Sequence, residues 1–488
     1  MAGKGDRREY ALVVFGVTGV TGWEVARFLA KRLATDKTLA GRRLAVAGRR
    51  EAAVSAKARA IEAEFPAARP IGVIVADATR PESLEAMAKR TEVVLACAGP
   101  FRFLGEPVVA ACAKNGTSYA DVTGEPEFSE RIALHYDDQA KRNGATLVTC
   151  AGFDSIPADI GLLHAKRAFL ERYGPSSLPL HVVSSLSLHA GPAGFAGNTA
   201  TYESAIHGFG SVSALKAIRK EAQAALPSWL LPGKLLLGPR LKTSRGVGRE
   251  PRELGGKLTL PFPGSDASVV RRSQMWRWRE ACAGAGLPVA GGAGSAAPAS
   301  DVSGAAFVSL PRDAVPVQHA CYVSFGSWWY LALTMLAGAL LSFLAGHAWG
   351  RALLSAFPEQ FTFGAFKKGG PTAEQRAGTS FDISFVTRGY KSKASAEAAL
   401  RAAAAGTRSS EAPDASIVTR VGGPEPGYVA TPIFVGETAL CLLRARASSG
   451  EGRVAALPTG VLTPGAALAN SDLIARLMAQ GIKFDVCA

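Results

Sequence analysis

Apolar and polar positions alternate along the first third of the chain in a regular rhythm. Tyr10 to Phe15 (YALVVF) is an unbroken apolar run that stops at Gly16, and Trp23 to Leu33, beyond the glycines, returns apolar side chains at helical spacing. Arg43 to Gly48 and Ile71 to Ala76 are further short apolar runs, separated by an Ala-rich helical stretch from Glu51 to Glu64. A helix opened by Pro81 follows. Strands are then predicted over Glu92 to Ala98, Thr117 to Val122 and Ala145 to Cys150, with helices over Pro107 to Lys114 and Phe128 to Arg142 between them. Strands that are apolar throughout and alternate with helices predict a parallel sheet covered on both faces, so the N-terminal part is expected to be an α/β domain of Rossmann type.

The turn after the first strand reads Gly16-Val17-Thr18-Gly19-Val20-Thr21-Gly22. Glycines at this spacing permit a sharp turn, let the backbone approach a pyrophosphate, and let the next helix lie close on the strand. The helix N-terminus then offers N–H groups and partial positive charge to the phosphates. Gly16, Thr18, Gly19, Val20, Thr21 and Gly22 are therefore candidate cofactor residues, although an ordinary tight turn uses glycines in the same way. A site for NAD places Asp or Glu at the end of the second strand to bind the ribose hydroxyls. Here that strand ends in Gly48-Arg49-Arg50. Two guanidiniums match a 2′-phosphate in charge and geometry, so NADP is expected over NAD, the alternative being a solvated pair at a helix start. Asp77 is placed either to bind adenine or to cap the following helix. Ala98, Gly99 and Pro100 end the fourth strand, where the nicotinamide half of such a ligand lies.

At 488 residues, with 48% hydrophobic and 19% charged, the chain has material for two or three domains. Its 55 basic residues against 40 acidic ones leave a net charge of +15, which points to an anionic partner. Arg and Lys recur between Lys234 and Arg279, with Trp276 and Trp278 interleaved, a pattern that suits an anionic lipid interface, the alternative being a solvated basic surface. Nucleic acid is set aside because no recognisable nucleic-acid module accompanies the charge. The seven cysteines lack CxxC spacing and lie mostly in apolar runs, so they read as reduced, buried thiols of an intracellular protein, with no metal centre. No long apolar stretch precedes Tyr10, and a cleaved secretory signal is not expected. The Gly/Ala/Pro/Ser-rich stretches Ala283 to Ala306 and Ala402 to Ser416 predict flexible loops.

Cys321 to Gly350 contains no Asp, Glu, Lys or Arg. Trp328-Trp329-Tyr330 opens its apolar part and Trp349 closes it, and about 20 apolar residues with an aromatic flank meet the requirement for membrane contact. Three environments compete: the core of a large domain, a crossing of the bilayer, or insertion into one leaflet or a lipid-droplet surface. Length and flank together favour the last, through residues 328–349.

GVTGVTG (16–22), AGRR (47–50), CAGPF (97–101), YADVTGE (119–125) and AGFDSIPADIG (151–161) occur in an order and spacing that resemble the saccharopine dehydrogenase-like oxidoreductase family. TYESAIHGFG (201–210), GPEPGYVAT (423–431) and the segment 460–484 extend the resemblance over nearly the whole chain. It implies a Rossmann domain over 1–160, a mixed α+β domain over 161–455, and C-terminal helices over 456–488 that return to the first domain. The family includes members associated with lipid droplets and other membranes, and it is similar to bacterial trans-acting enoyl reductases, which reduce a carbon–carbon double bond in complex-lipid synthesis. A mitochondrial location and the oligomeric state stay open.

Hydride transfer is the cofactor's chemistry, so the protein must hold substrate and supply a proton donor. Tyr119 leaves the fifth strand on the ligand edge and Asp154 leaves the sixth, which makes both catalytic candidates. The alternatives are a structural tyrosine and a cap for the helix begun near Pro157. The expected function is an NADP-dependent oxidoreductase for a lipid or acyl substrate. Its rival is a non-enzymatic lipid-surface protein with a structural or sensory nucleotide site.

Overall fold

The computed structural model describes residues 8–209, 212–224, 237–287, 304–447 and 456–487. Two seven-stranded sheets organise them. The first begins with β1 (Tyr10–Phe15), β2 (Leu44–Gly48), β3 (Gly72–Val75), β4 (Thr91–Ala96), β5 (Ser118–Asp121) and β6 (Thr146–Val148). The second comprises β7 (Leu178–His189), β9 (Gly248–Arg249), β10 (Leu258–Pro261), β11 (Gln318–Phe325), β13 (Ser380–Tyr390) and β14 (Ala415–Pro424); β8 (Gly197–Asn198) and β12 (Phe366–Lys367) pair apart from both. The chain then returns: β15 (Gly460–Leu462) pairs in parallel with β6, and β16 (Lys483–Val486) pairs antiparallel with β14.

The first sheet runs β15-β6-β5-β4-β1-β2-β3 with every pairing parallel. Its strands are mostly apolar because helices cover both faces, with Asp121 of β5 as a buried exception. The chain moves outward from β1 to β3 and then crosses back to β4, so the carboxyl ends of β1 and β4 flank a crevice. The second sheet, β16-β14-β13-β7-β11-β10-β9, is antiparallel except between β7 and β11.

The observed domain limits differ from a simple division at residues 160 and 455. Helix Ile156–Tyr173 leaves the first sheet and packs on β13 and β14, where a Cβ at Gly161 would come within 2.6 Å of the Phe385 ring. Helix Thr431–Ala447 comes late in the chain yet lies beside helix Val20–Thr35 on the first sheet. There the buried Glu437 pairs with Arg32 (2.9 Å) and with Arg476 (2.7 Å). The C-terminal segment contributes a strand to each sheet as well as short helices. The helix expected from Pro107 starts at Phe101 instead, with Pro107 inside it, because the Glu125 carboxylate accepts from the N–H groups of Phe101 (2.9 Å) and Arg102 (3.2 Å) and anchors the earlier turn.

Helix Trp328–Ala345 is not a core helix: only Leu331, Leu344 and Ala345 are buried, near its two ends. Trp329, Leu333, Leu336, Leu340 and Phe343 recur at helical spacing and all face outward, Trp329 being 85% and Leu336 69% exposed. The second long apolar helical stretch, Pro426–Arg446, is by contrast buried in the protein. The basic segment keeps Arg240, Lys242, Arg245, Arg249, Arg252, Lys257 and Arg271 exposed, but its tryptophans do not stand among them at the surface. Trp278 is fully buried, Trp276 packs against the core, and Arg277 pairs with Asp313 and Arg272 donates to Ser129; Lys234 lies outside the described residues. Of the two expected loops, 283–306 has only its ends described, where helix Asp266–Gly284 finishes and helix Gly304–Ser309 begins, 288–303 lying outside the described residues, and 402–416 includes the end of helix Lys393–Ala404 and the start of β14. Cys487 is exposed, unlike the expected buried thiols.

Asp121, the last residue of β5, ties the carboxyl edge of the first sheet together. Its Oδ1 accepts from the N–H groups of Thr123 (3.1 Å) and Cys150 (2.8 Å), and its Oδ2 accepts from the Tyr119 hydroxyl (3.0 Å). Burial outweighs these hydrogen bonds and pushes the carboxyl up to about 7 from an ordinary value of 3.8. Between those values the folded state keeps a proton that the unfolded chain releases, so stability falls as pH rises through the window, on the order of 1.4 kcal/mol per pH unit. Asp121→Asn keeps an acceptor for both N–H groups and removes the titration. Urea unfolding across pH 4 to 7 is expected to give a flatter profile for the variant than for the parent protein.

Candidate functional site

The glycine turn lies at the crevice between β1 and β4. Gly16 has φ +92°, a region that favours glycine, and a Cβ there would sit 2.9 Å from the Ala98 nitrogen. A Cβ at Gly22 would run into the Gly16 carbonyl, so this glycine sets the close approach of helix Val20–Thr35 to the strand. Gly19 is different. Its φ is −80°, and the nearest atom to a Cβ there is the Gly16 oxygen at 3.4 Å, so the protein itself has room for a side chain. The space it leaves is on the ligand side. Gly19 is also the N-cap of a helix with no side-chain cap and no acid in its first turn. The N-terminal N–H groups, with Thr18 exposed and Val20 and Thr21 half-buried beside them, are left for an external anion.

Arg49 and Arg50 follow β2, exposed and with no side-chain hydrogen bond to any described residue. Asp77 follows β3, and its Oδ1 accepts from the Thr79 N–H and hydroxyl, both at 2.9 Å. Those bonds, together with the Arg49 charge, hold its carboxyl below the usual range. Asp77 thus forms a local turn of its own rather than capping the next helix, whose N-cap is Arg80.

Ala98, Gly99 and Pro100 lead from β4 into helix Phe101–Lys114. That helix N-terminus is filled by Glu125, so the anion site belongs to the first glycine turn alone among these two. Glu125 also accepts from Arg102 Nε (3.2 Å) and the Ser204 hydroxyl (3.2 Å), which brings helix Thr199–Phe209 to the crevice. On the other flank Tyr428 accepts from the Asn198 N–H (2.8 Å), and Arg376 lies over the Tyr428 ring while pairing with Glu24 (2.7 Å). Glu125, Tyr428 and Arg376 were not singled out from the sequence. Glu125 had a signal in the acid immediately before Pro126, whereas Tyr428 and Arg376 reach the site only through long-range packing.

The two catalytic candidates part company. Tyr119 is 0% exposed, and its hydroxyl is committed to Asp121 in the core beneath the sheet edge, so it cannot reach a substrate in the crevice. Asp154 lies beyond β6 against Gly124, open to solvent and without a hydrogen-bond partner for its carboxylate among the described residues. Surrounding protein raises that carboxyl above the ordinary range. The N-cap of helix Ile156–Tyr173 is Ser155, and Asp154 does not cap it.

A parallel sheet with a glycine turn at its switch point, an unfilled helix N-terminus and an arginine pair after β2 defines a dinucleotide-binding domain of the NADP-preferring class. Residues 12–148 match the family model described as Saccharopine dehydrogenase NADP binding domain. The chain is 35% identical over 487 residues to the human Saccharopine dehydrogenase-like oxidoreductase, covering 99% of this chain and 98% of that one. It is 30% identical over 480 residues to a Caenorhabditis elegans relative named Lipid droplet localized protein, covering 98% of each. A stretch of 168 residues, 34% of this chain and 38% of the other, is 42% identical to Trans-acting enoyl reductase of Mycobacterium leprae. The chain belongs to the saccharopine dehydrogenase-like oxidoreductase family, with an N-terminal NADP-binding domain.

Two substitutions test this site by titration with NADPH. Gly19→Val is expected to abolish binding while the thermal transition is kept, because the branched side chain fits the protein but occupies the phosphate's approach. Arg49→Asp is expected to weaken NADPH binding by about 1–3 kcal/mol and to leave the weaker NADH binding nearly unchanged. Equal affinity of the parent protein for NADH and NADPH would remove the assigned role of the arginine pair.

Proposed function

We propose that the protein is an NADPH-dependent reductase of a lipid or acyl substrate, with an enoyl group as the reducible function, working while seated on a lipid surface through residues 328–349. The observation that carries this reading is the outward apolar stripe of helix Trp328–Ala345. An apolar surface of this extent gains roughly 25 cal/mol per Å² on leaving water, so a cover is required. Both ends of the helix are held to the body, at Leu331 and at Leu344 and Ala345, which favours lying in one leaflet over crossing it. Trp349, Leu353, Phe357 and Phe363 extend the exposed apolar face, and Arg351, Lys367 and Lys368 stand around it with Glu359 as the single acid between residues 318 and 370. The names of the worm and mycobacterial relatives point the same way.

Bound NADPH supplies the hydride. The chain's own part is to hold the alkene against the nicotinamide and give a proton to the neighbouring carbon, and Asp154, open to solvent beside Gly124, unpartnered among the described residues and with its carboxyl raised, is our choice for that acid. Leu336→Lys with Leu340→Lys is expected to release the protein from floating phosphatidylcholine vesicles, a loss on the order of 3 kcal/mol or more, with NADPH binding and the thermal transition retained. Parent protein that stays with the soluble fraction would end the lipid-surface reading. NADPH that binds but is never consumed with enoyl lipids would favour a structural or sensory nucleotide site.

A further inference from the structure

Helix Thr199–Phe209 has two faces with different neighbours. On one, Tyr202 and Ile206, four residues apart, are buried against Leu344, Ala345 and Leu354 of the exposed apolar unit, and Tyr202 stacks on Phe366 at 5.5 Å. On the other, Ser204 donates to Glu125 (3.2 Å) and the His207 carbonyl accepts from Arg102 Nη1 (2.8 Å). At 100° per residue, 204 and 207 fall opposite 202 and 206. One helix, about 10 Å across, therefore separates the apolar unit from the carboxyl edge of the first sheet.

At that edge stands Phe103. Its N–H donates to the Pro100 carbonyl (3.2 Å), and side chains of a helix lean toward its N-terminus, so the ring leans back toward Gly99 and Pro100. It is 58% exposed, in edge contact with the His207 ring at 5.1 Å and 89°. Apart from that edge contact the ring is open beside the cofactor crevice, while Phe101, Val108 and Val109 of the same helix are buried.

We propose that Phe103 and His207 form an acyl-chain subsite: the apolar chain of a lipid rises out of the leaflet beside helix Thr199–Phe209, crosses the Phe103 and His207 rings, and brings its unsaturated segment to the nicotinamide end of the cleft. This rests on the lipid-surface reading and adds the route and the ligand class, a long unbranched acyl chain. A compact polar substrate would leave Phe103 in water; an acyl chain covers it.

The test uses the full-length protein on vesicles of phosphatidylcholine carrying a diazirine near the end of one acyl chain, irradiated with and without NADPH and mapped by mass spectrometry of tryptic peptides. Labelling is expected on the apolar unit around residues 328–349 and also on the peptide 103–114. Phe103→Asp is expected to lower labelling of 103–114 by at least about tenfold, with vesicle flotation, NADPH titration and labelling at 328–349 unchanged; Phe103→Leu should restore it. Labelling confined to the apolar unit, or labelling of 103–114 that Phe103→Asp does not change, would overturn the subsite while leaving the lipid-surface reading standing. No labelling anywhere, with no flotation, would overturn both.

Discussion

The buried carboxylate of Glu437 is the constraint on which the arrangement of the two halves depends. It is 0% exposed and lies between Arg32 of the first helix and Arg476 near the C-terminus. An uncompensated charge at this depth would cost several kcal/mol, so helix Thr431–Ala447 can occupy its place on the first sheet only when both ends of the chain have arrived. The same return brings β15 to β6 and β16 to β14. Neither sheet is complete without the last residues, and the cofactor domain is built from sequence neighbours plus a late insertion.

Buried acids also shape the carboxyl edge where the ligand binds. Asp121 joins the ends of β5 and β6, and Glu125 occupies the N-terminus of helix Phe101–Lys114. With that second N-terminus already neutralised, the positive end of helix Val20–Thr35 is the one left for phosphates, and its glycine N-cap cannot satisfy itself. The division of labour follows from which helix receives an internal carboxylate. The Asp154 carboxylate has no hydrogen-bond partner among the described residues and stays open to solvent.

The surface chemistry has a similar logic. On helix Asp266–Gly284 Arg277 is turned inward to Asp313, while Arg49 and Arg50 stay exposed after β2 and Lys368 at the edge of the apolar unit. A net charge of +15 is therefore distributed in function as well as in space. Helix Thr199–Phe209 connects the apolar unit to the crevice, so seating on lipid and presentation of substrate are problems of one local geometry.

The six strands before residue 150 and their helices were legible from the chain because each is a local pattern: an apolar run of strand length, a glycine or proline, then helical spacing. The glycine turn and the Arg49-Arg50 pair were legible for the same reason, since a βα junction places sequence neighbours around one ligand. Apolar length alone could not separate the exposed helix Trp328–Ala345 from the buried stretch Pro426–Arg446; packing made one a surface and the other a core. Nor could sequence tell that Tyr119 is buried beneath the sheet edge while Asp154 is open to solvent, or that Trp278 is core rather than interface. Those outcomes depend on which remote segment covers a side chain. Local pattern determined the elements and the cofactor turn, and tertiary structure decided burial, because burial is a property of neighbours that are hundreds of residues apart.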